Sequence, residues 1–110
     1  MSSMKTEDTF WVRVYLSGPI EVAKQLLRAE VLSVGLCVTI EPTLFIYSGG
    51  EESGYVVGLI NYPRFPASPE EVWDKAEKIA HLLMLGTSQW SALAMSPQKT
   101  AWITQREGKP

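Results

Sequence analysis

Two side chains in this sequence are of types that act as nucleophile and general base, the thiol of Cys37 and the imidazole of His81. A thiolate activated by a nearby imidazole is a common covalent catalyst. The apolar neighbours of Cys37 predict a buried thiol that only packs, and His81 lies opposite the apolar stripe of its predicted helix, where solvent exposure is expected. The two residues therefore predict no catalytic pair.

Two pairs of glutamates are adjacent in sequence, Glu51 with Glu52 and Glu70 with Glu71. Side chains of adjacent residues diverge, so neither pair predicts a carboxylate metal site. Cys37 is the only cysteine, which excludes an intramolecular disulfide and every metal site built from several thiolates. Acid–base catalysis needs ionisable groups that converge, and none can be assembled. We predict no metal, no cofactor, no catalytic residue and no enzymatic activity.

The glycine-rich segment SGGEESG, residues 48–54, invites comparison with a phosphate-binding loop. A phosphate cradle places glycine amides at a helix N-terminus, usually with a lysine, whereas this segment joins two predicted strands and carries two carboxylates. Its composition predicts a plain hairpin turn. The alternative is an acidic contact tip, made of Glu51 and Glu52, that faces a basic partner.

Composition and charge restrict the classes of partner and the number of domains. The chain has 110 residues, of which 45% are hydrophobic and 20% charged, with a formal net charge of −2. This predicts one α+β domain over 9–105, with a flexible N-terminus at 1–8 and a flexible tail at 106–110. Scattered cations and net negative charge disfavour nucleic acid. A lone cysteine and the absence of a long apolar run predict a cytoplasmic protein without a membrane span.

Hydrophobic periodicity predicts the secondary structure of the first half of the chain. Residues 10–16 alternate as a half-buried strand, and 19–33 have the spacing of a helix that begins at Pro19, with Gly35 as the stop signal that follows it. Residues 36–47 keep an alternation across Pro42, which predicts a strand at an edge or a bend because proline donates no ladder hydrogen bond. Residues 55–62 return as the partner of that strand in a hairpin.

The second half begins with the clearest local signal in the sequence. Ser68 and Glu71 form a capping box and Pro69 occupies the first helical position, which predicts a helix that continues to Gly86. Residues 90–95 and 101–105 then predict a fourth strand and a short fifth strand. The order β-α-β-β-α-β with an extra C-terminal strand predicts a ferredoxin-like sandwich, in which both helices cover one face of an antiparallel sheet.

The uncovered sheet face and the connection at 62–73 are the surfaces predicted to bind a partner. An aromatic-rich face can pair with a second copy or another protein, lie under the chain's own last strand, or stack bases. Prolines stiffen the connection, where Phe65 either staples the helix entrance or joins an interface patch. The predicted partner-binding residues are Trp11, Arg13, Tyr15, Phe45 and Tyr47 on the face, and Tyr62, Arg64, Phe65 and Trp73 in the connection.

Two families share the predicted strand order. RNA-recognition modules carry a basic and aromatic motif on the third strand, and the segment Ser53 to Leu59, preceded by Glu51 and Glu52, lacks it. The strand order and the Gly18-Pro19 step, over about residues 12–60, resemble ACT domains. That resemblance implies a regulatory domain that senses a small ligand at a dimer edge near Gly18.

The sequence as a whole predicts a non-enzymatic module for protein–protein interaction, an accessory or inhibitor protein that binds another protein or its own copy. A homodimer is the expected form. The alternative function is small-ligand sensing of the ACT type.

Overall fold

The computed structural model describes residues 2–34 and 36–105. Within them the chain is α+β, with a five-stranded antiparallel sheet and two helices, as the sequence predicted. The elements are β1 (Trp11–Ser17), α1 (Ile20–Val34), β2 (Thr39–Tyr47), β3 (Gly50–Ile60), α2 (Pro69–Gly86), β4 (Ser91–Met95) and β5 (Thr100–Thr104). The strand order is β2-β3-β1-β4-β5, and neighbouring strands are antiparallel throughout.

The core lies between the helices and one face of the sheet. Val12, Val14 and Leu16 of β1 are buried, and they belong to one hydrophobic cluster with buried residues of β3, β4 and both helices. Because successive strand residues point to opposite faces, Trp11, Arg13 and Tyr15 lie on the other side of the sheet. We call this side the open face.

The two helices contribute unequally to the core. Helix α2 buries seven residues, whereas α1 buries only Ala23 and Leu27. The predicted capping box is present at α2: the Ser68 hydroxyl accepts from the Glu71 amide at 3.2 Å, and the Glu71 carboxylate accepts from the Ser68 amide at 2.9 Å. Helix α2 therefore begins where local sequence specifies and is the main helical layer over the sheet.

The structure corrects two predictions about the strands and confirms a third. The predicted turn at 48–54 is too long, because β3 already begins at Gly50 and only Ser48 and Gly49 form the turn. Pro42 lies on β2, an edge strand of the sheet, as its missing donor predicted. The last strand does not cover the open face, because β5 extends the sheet beside β4 instead.

Other expectations concern single residues and the ends of the chain. Cys37 precedes β2 and is exposed, so the prediction of a buried thiol is wrong. His81 is exposed, as predicted. The helix stop predicted at Gly35 and the tail predicted at 106–110 lie outside the described residues. Neither described helix combines the length and apolarity that crossing a bilayer requires.

Candidate functional site

The open face brings together most of the aromatic side chains that the sequence analysis placed there. Arg13 stacks over the Trp11 ring, with its guanidinium carbon 4.8 Å from the ring centroid. Tyr15 follows on the same side of β1 and is half-buried. From β2, Phe45 is half-buried and Tyr47 is 55% exposed. The face is therefore an apolar and aromatic surface that no described element covers.

A depression of about 170 Å³ lies at one end of the open face. It forms where the end of β1 meets the β2–β3 hairpin and the start of β4. The strand register explains the composition: Tyr15 lies opposite Leu93, Leu93 lies opposite Trp102, and Phe45 lies opposite Glu52. The lining residues are Tyr15, Leu16, Ser17, Phe45, Glu52, Ser91, Ala92, Leu93 and Trp102.

Glu52 is the charged residue that lines this depression. Its neighbour Glu51 pairs with Ile46 of β2, and residues one step apart on a strand point to opposite faces. The structure therefore separates the two glutamates that the sequence analysis treated as one acidic tip. Only Glu52 lies beside the aromatic rings.

Gly54 allows the Phe45 ring to lie close to the sheet. A Cβ atom at residue 54 would come within 2.5 Å of the Phe45 ring and would collide with the carbonyl oxygen of Leu16. Any side chain at this position would displace the ring from the floor of the depression. The glycine thus shapes the site by leaving space rather than by bending the backbone.

The end of β1 supports the wall of the depression through polar contacts. The Ser17 hydroxyl donates to the Gln89 side-chain oxygen at 3.1 Å, and the Gly18 amide donates to the Ser53 carbonyl at 3.1 Å. Gly18 has a φ of 117°, a conformation that favours glycine. The Gly18-Pro19 step that suggested an ACT domain is therefore a tight exit from β1 beside the depression.

The connection at 62–73 forms a separate cluster. The rings of Tyr62 and Phe65 stack with centroids 6.3 Å apart, and the Arg64 guanidinium lies 5.4 Å from the Phe65 centroid. Phe65 is 71% exposed and so does not staple the helix entrance. Trp73 is buried, which removes it from the predicted contact surface. Its indole nitrogen donates to Glu77 at 2.6 Å.

Charge distinguishes the depression from the other cavities. Arg64 and Lys75 line a cavity beside the 62–67 connection, and Lys24 and Arg28 line one beside α1. A small cavity at the other end of the sheet includes Trp73, but the Lys99 ammonium already lies 4.4 Å from the centroid of that ring. Among these cavities, the open-face depression alone combines a carboxylate with aromatic rings and no lysine or arginine.

The described residues hold no cluster of three or more metal-ligating side chains. Sequence reasoning found Tyr15, Phe45 and Glu52 but missed Trp102, Leu93, Ser17 and Ser91. Alternation along β4 and β5 would have placed Leu93 and Trp102 on one face. Their position beside Tyr15 depends on the strand order, which no local pattern contains.

Solved structures with this fold include two of phage enzymes. One is described as a phage SAM lyase in the apo state, with a TM-score of 0.73 and 15% identity over 91% of this chain and 92% of that chain. The other is a phage SAM lyase in complex with S-methyl-5′-thioadenosine, with a TM-score of 0.70 and 14% identity over 99% of both chains. At such identity the likeness establishes the fold. No known family model matches this sequence, and no curated protein matches it.

These likenesses contradict the functional predictions made from the sequence. The fold, over nearly the whole chain, is one that enzymes use. The predictions of a non-enzymatic interaction, accessory or inhibitor module, and of an ACT-type sensor as its alternative, are therefore wrong.

Proposed function

We propose that this protein is a lyase that cleaves S-adenosylmethionine and that the open-face depression binds the substrate's sulfonium centre. The observation that carries the proposal is the meeting of Glu52 with the rings of Tyr15, Phe45 and Trp102 in a cavity without a lysine or arginine. The shared fold with phage SAM lyases supports the same reaction class.

The depression has the chemistry that a sulfonium ligand requires. S-adenosylmethionine carries a permanent positive charge on sulfur, which bears a methyl group and a two-carbon link to the amino acid portion and is joined through ribose to an aromatic base. Aromatic faces attract such cations by roughly 0.5 to 2 kcal/mol, and the opposite charge of a nearby carboxylate adds to this attraction. Trp102, which is 56% exposed, offers a ring on which the adenine base can stack. The cavities lined by lysine and arginine would repel the cation.

The reaction is balanced without a group from the protein or a metal. The bond between sulfur and the Cγ atom of the amino acid portion breaks, and its electron pair stays on sulfur to give the neutral thioether S-methyl-5′-thioadenosine. An oxygen of the substrate's own carboxylate forms the new bond to Cγ, which closes a lactone without moving a proton. This course consumes no water, as a lyase requires.

Such a reaction explains why no set of converging acids and bases is needed. The leaving group is a neutral thioether that requires no proton, and an intramolecular carboxylate is already a nucleophile. The protein contributes by holding the chain in a reactive conformation and by excluding water, which strengthens charge interactions in the site. We assign Glu52 to positioning the sulfonium and the aromatic rings to enclosing it.

We further propose that a second copy of the chain completes the site. A cavity of about 170 Å³ is smaller than the roughly 300 to 1,000 Å³ typical of small-molecule sites, and it opens onto an uncovered aromatic face. A copy that packs on this face would supply the missing wall and shield the apolar side chains. This keeps the self-association predicted from the sequence and gives it a role in catalysis.

Two finer aspects of the sequence prediction are part of the proposal. The order β2-β3-β1-β4, with both helices over one face, supports assignment of the fold to the ferredoxin-like sandwich with β5 added at the edge. The single free cysteine, Cys37, supports a reducing compartment, and we propose that the enzyme acts in the cytoplasm.

The decisive experiment incubates the purified protein with S-adenosylmethionine and measures S-methyl-5′-thioadenosine by liquid chromatography. We expect the wild type to form this product, and Glu52→Gln to lower kcat/KM roughly a hundredfold, because it removes the charge that faces the sulfonium. Glu51→Gln is the matched control, since Glu51 points to the other face, and it should retain wild-type activity. Absence of product, or equal loss in both variants, would overturn the proposal.

A further inference from the structure

A second concave surface lies on the helix side of the sheet, away from the depression. It consists of two adjoining cavities of about 210 and 370 Å³, which share Leu36 and Cys37 as a common wall. We call this surface the α1–β2 cleft. Together the cavities fall within the usual size of small-molecule sites.

The cleft exists because α1 covers β2 incompletely. Helix α1 buries only Ala23 and Leu27, and the helix-side residues of β2 remain accessible. Ile40 is half-buried, and Leu44 and Ile46 are 49% and 75% exposed. Of these three residues, only Ile40 lines the cleft. The larger cavity has aliphatic walls, and the smaller one also includes the rings of Tyr62 and Phe65.

Cations stand at both ends of this apolar surface. Lys24 and Arg28 of α1 line one cavity, and Arg64 and Lys75 line the other. No aspartate or glutamate lines either cavity. Lys24 is already paired with Glu21 at 3.0 Å, so Arg28, Arg64 and Lys75 are the lining charges left for a ligand. In a chain with a formal net charge of −2, this local excess of positive charge favours an anion.

We propose that the α1–β2 cleft binds a free long-chain carboxylate of the fatty-acid class. The apolar walls accept the hydrocarbon chain, and a lysine or arginine at the rim holds the carboxylate by a charge-assisted hydrogen bond. A compact inorganic anion would leave the apolar walls wet, and a neutral lipid would make no use of the positive charges of Arg28, Arg64 and Lys75. The combination of both features fits an amphipathic anion.

Binding is tested by calorimetry with dodecanoate below its micellar concentration, using dodecanol and dodecylamine as chain-matched probes. We expect one dodecanoate per chain, bound at least about tenfold more tightly than either control, because only the carboxylate pairs with the rim. Equal affinities for dodecanoate and dodecylamine would overturn the proposal. So would a protein that binds neither, which is the result expected if a second copy fills the cleft.

Variants locate the site. Cys37→Trp places an indole in the wall shared by both cavities, at an exposed position that tolerates a larger side chain, and should abolish binding without lowering the melting temperature. Arg28→Glu or Lys75→Glu should weaken binding about tenfold at whichever end holds the carboxylate. Lys78→Glu, on the exposed side of α2, is the charge-matched control and should change nothing. Binding that survives all three cleft substitutions would place the ligand elsewhere.

Discussion

At the scale of single residues, the hydroxyl of Tyr55 is a polar group inside the core. The side chain is fully buried, and its oxygen makes no hydrogen bond to any atom in the described part of the chain. The nearby Thr87 hydroxyl instead donates to the Leu83 carbonyl at 2.6 Å. Burial raises the pKa of Tyr55 above its ordinary value of 10.0, and the proximity of Thr87 offsets only part of that effect.

We expect Tyr55→Phe to match or slightly exceed the wild-type melting temperature at neutral pH, because it removes a buried hydroxyl without opening a cavity. The raised pKa means that the folded state favours the protonated form of Tyr55. The stability that the wild type gains from this protonation is complete below about pH 10 and is lost as the pH rises through the higher folded pKa. The variant should therefore lose less stability than the wild type above pH 10. Thermal melts across that range test this, and a large destabilisation at neutral pH would contradict it.

Residue types alone could not decide between Glu51 and Glu52. Both are exposed glutamates of one hairpin, and only the register of β3 against β2 shows that Glu52 faces Phe45. Cys37 was misplaced for a related reason, because its apolar neighbours resembled a buried strand, whereas β2 begins two residues later. Local composition predicts which residues can act, and strand register decides which of them meet.

At the scale of elements, the N-terminus of α2 is specified almost entirely by the four residues from Ser68 to Glu71. Ser68→Ala should lower the free energy of unfolding by about 1 kcal/mol, since it removes the acceptor for the Glu71 amide. Ser3→Ala, in an exposed segment without regular structure, is the matched control and should have no effect. Urea denaturation measures both variants, and an unchanged midpoint for Ser68→Ala would contradict the expectation.

The same cap gives a pH dependence. Hydrogen bonds from the Ser68 backbone and side chain hold the pKa of Glu71 below its ordinary value of 4.5. The carboxylate therefore stabilises the fold above about pH 4.5, and that contribution is lost as the pH falls through the lower folded pKa. Glu71→Gln should be less stable than the wild type at neutral pH, and the difference should shrink in acid. A difference that grows on acidification would show that the sign is wrong.

Elements specified by near neighbours were predicted well from the sequence. The alternation of β1 and the capping box of α2 each depend on contacts within a few residues, and both elements lie where expected. The strands of the β2–β3 hairpin are longer than predicted. Glu51 and Glu52 resemble turn residues in sequence, although they lie on β3 where this edge hairpin projects beyond the core. Helix α1 covers β2 incompletely, and this creates the cleft. The apolar stripe of α1 in the sequence does not show how closely the helix packs on that strand.

At the scale of the whole molecule, the error about enzymatic activity came from the chemistry that was considered. A sequence without converging acids, bases or metal ligands argues against reactions in which the protein supplies those groups. It does not exclude a reaction whose substrate carries its own leaving group and nucleophile. The surface predicted to bind a partner and the proposed site coincide at Tyr15 and Phe45, because aromatic faces suit both an apolar interface and a sulfonium cation.

The proposed closure of the site by a second copy makes mass and activity depend on the same surface. We expect light scattering to give a mass above the 12.3 kDa of one chain, and we expect Trp102→Glu to reduce both the mass and the formation of S-methyl-5′-thioadenosine. A buried glutamate would have no partner on an aromatic interface and would oppose association. Phe65→Glu alters an aromatic ring that is 71% exposed and lies off the open face, so it should leave both properties unchanged. A single-chain mass at concentrations that sustain full activity would show that one chain is sufficient for catalysis.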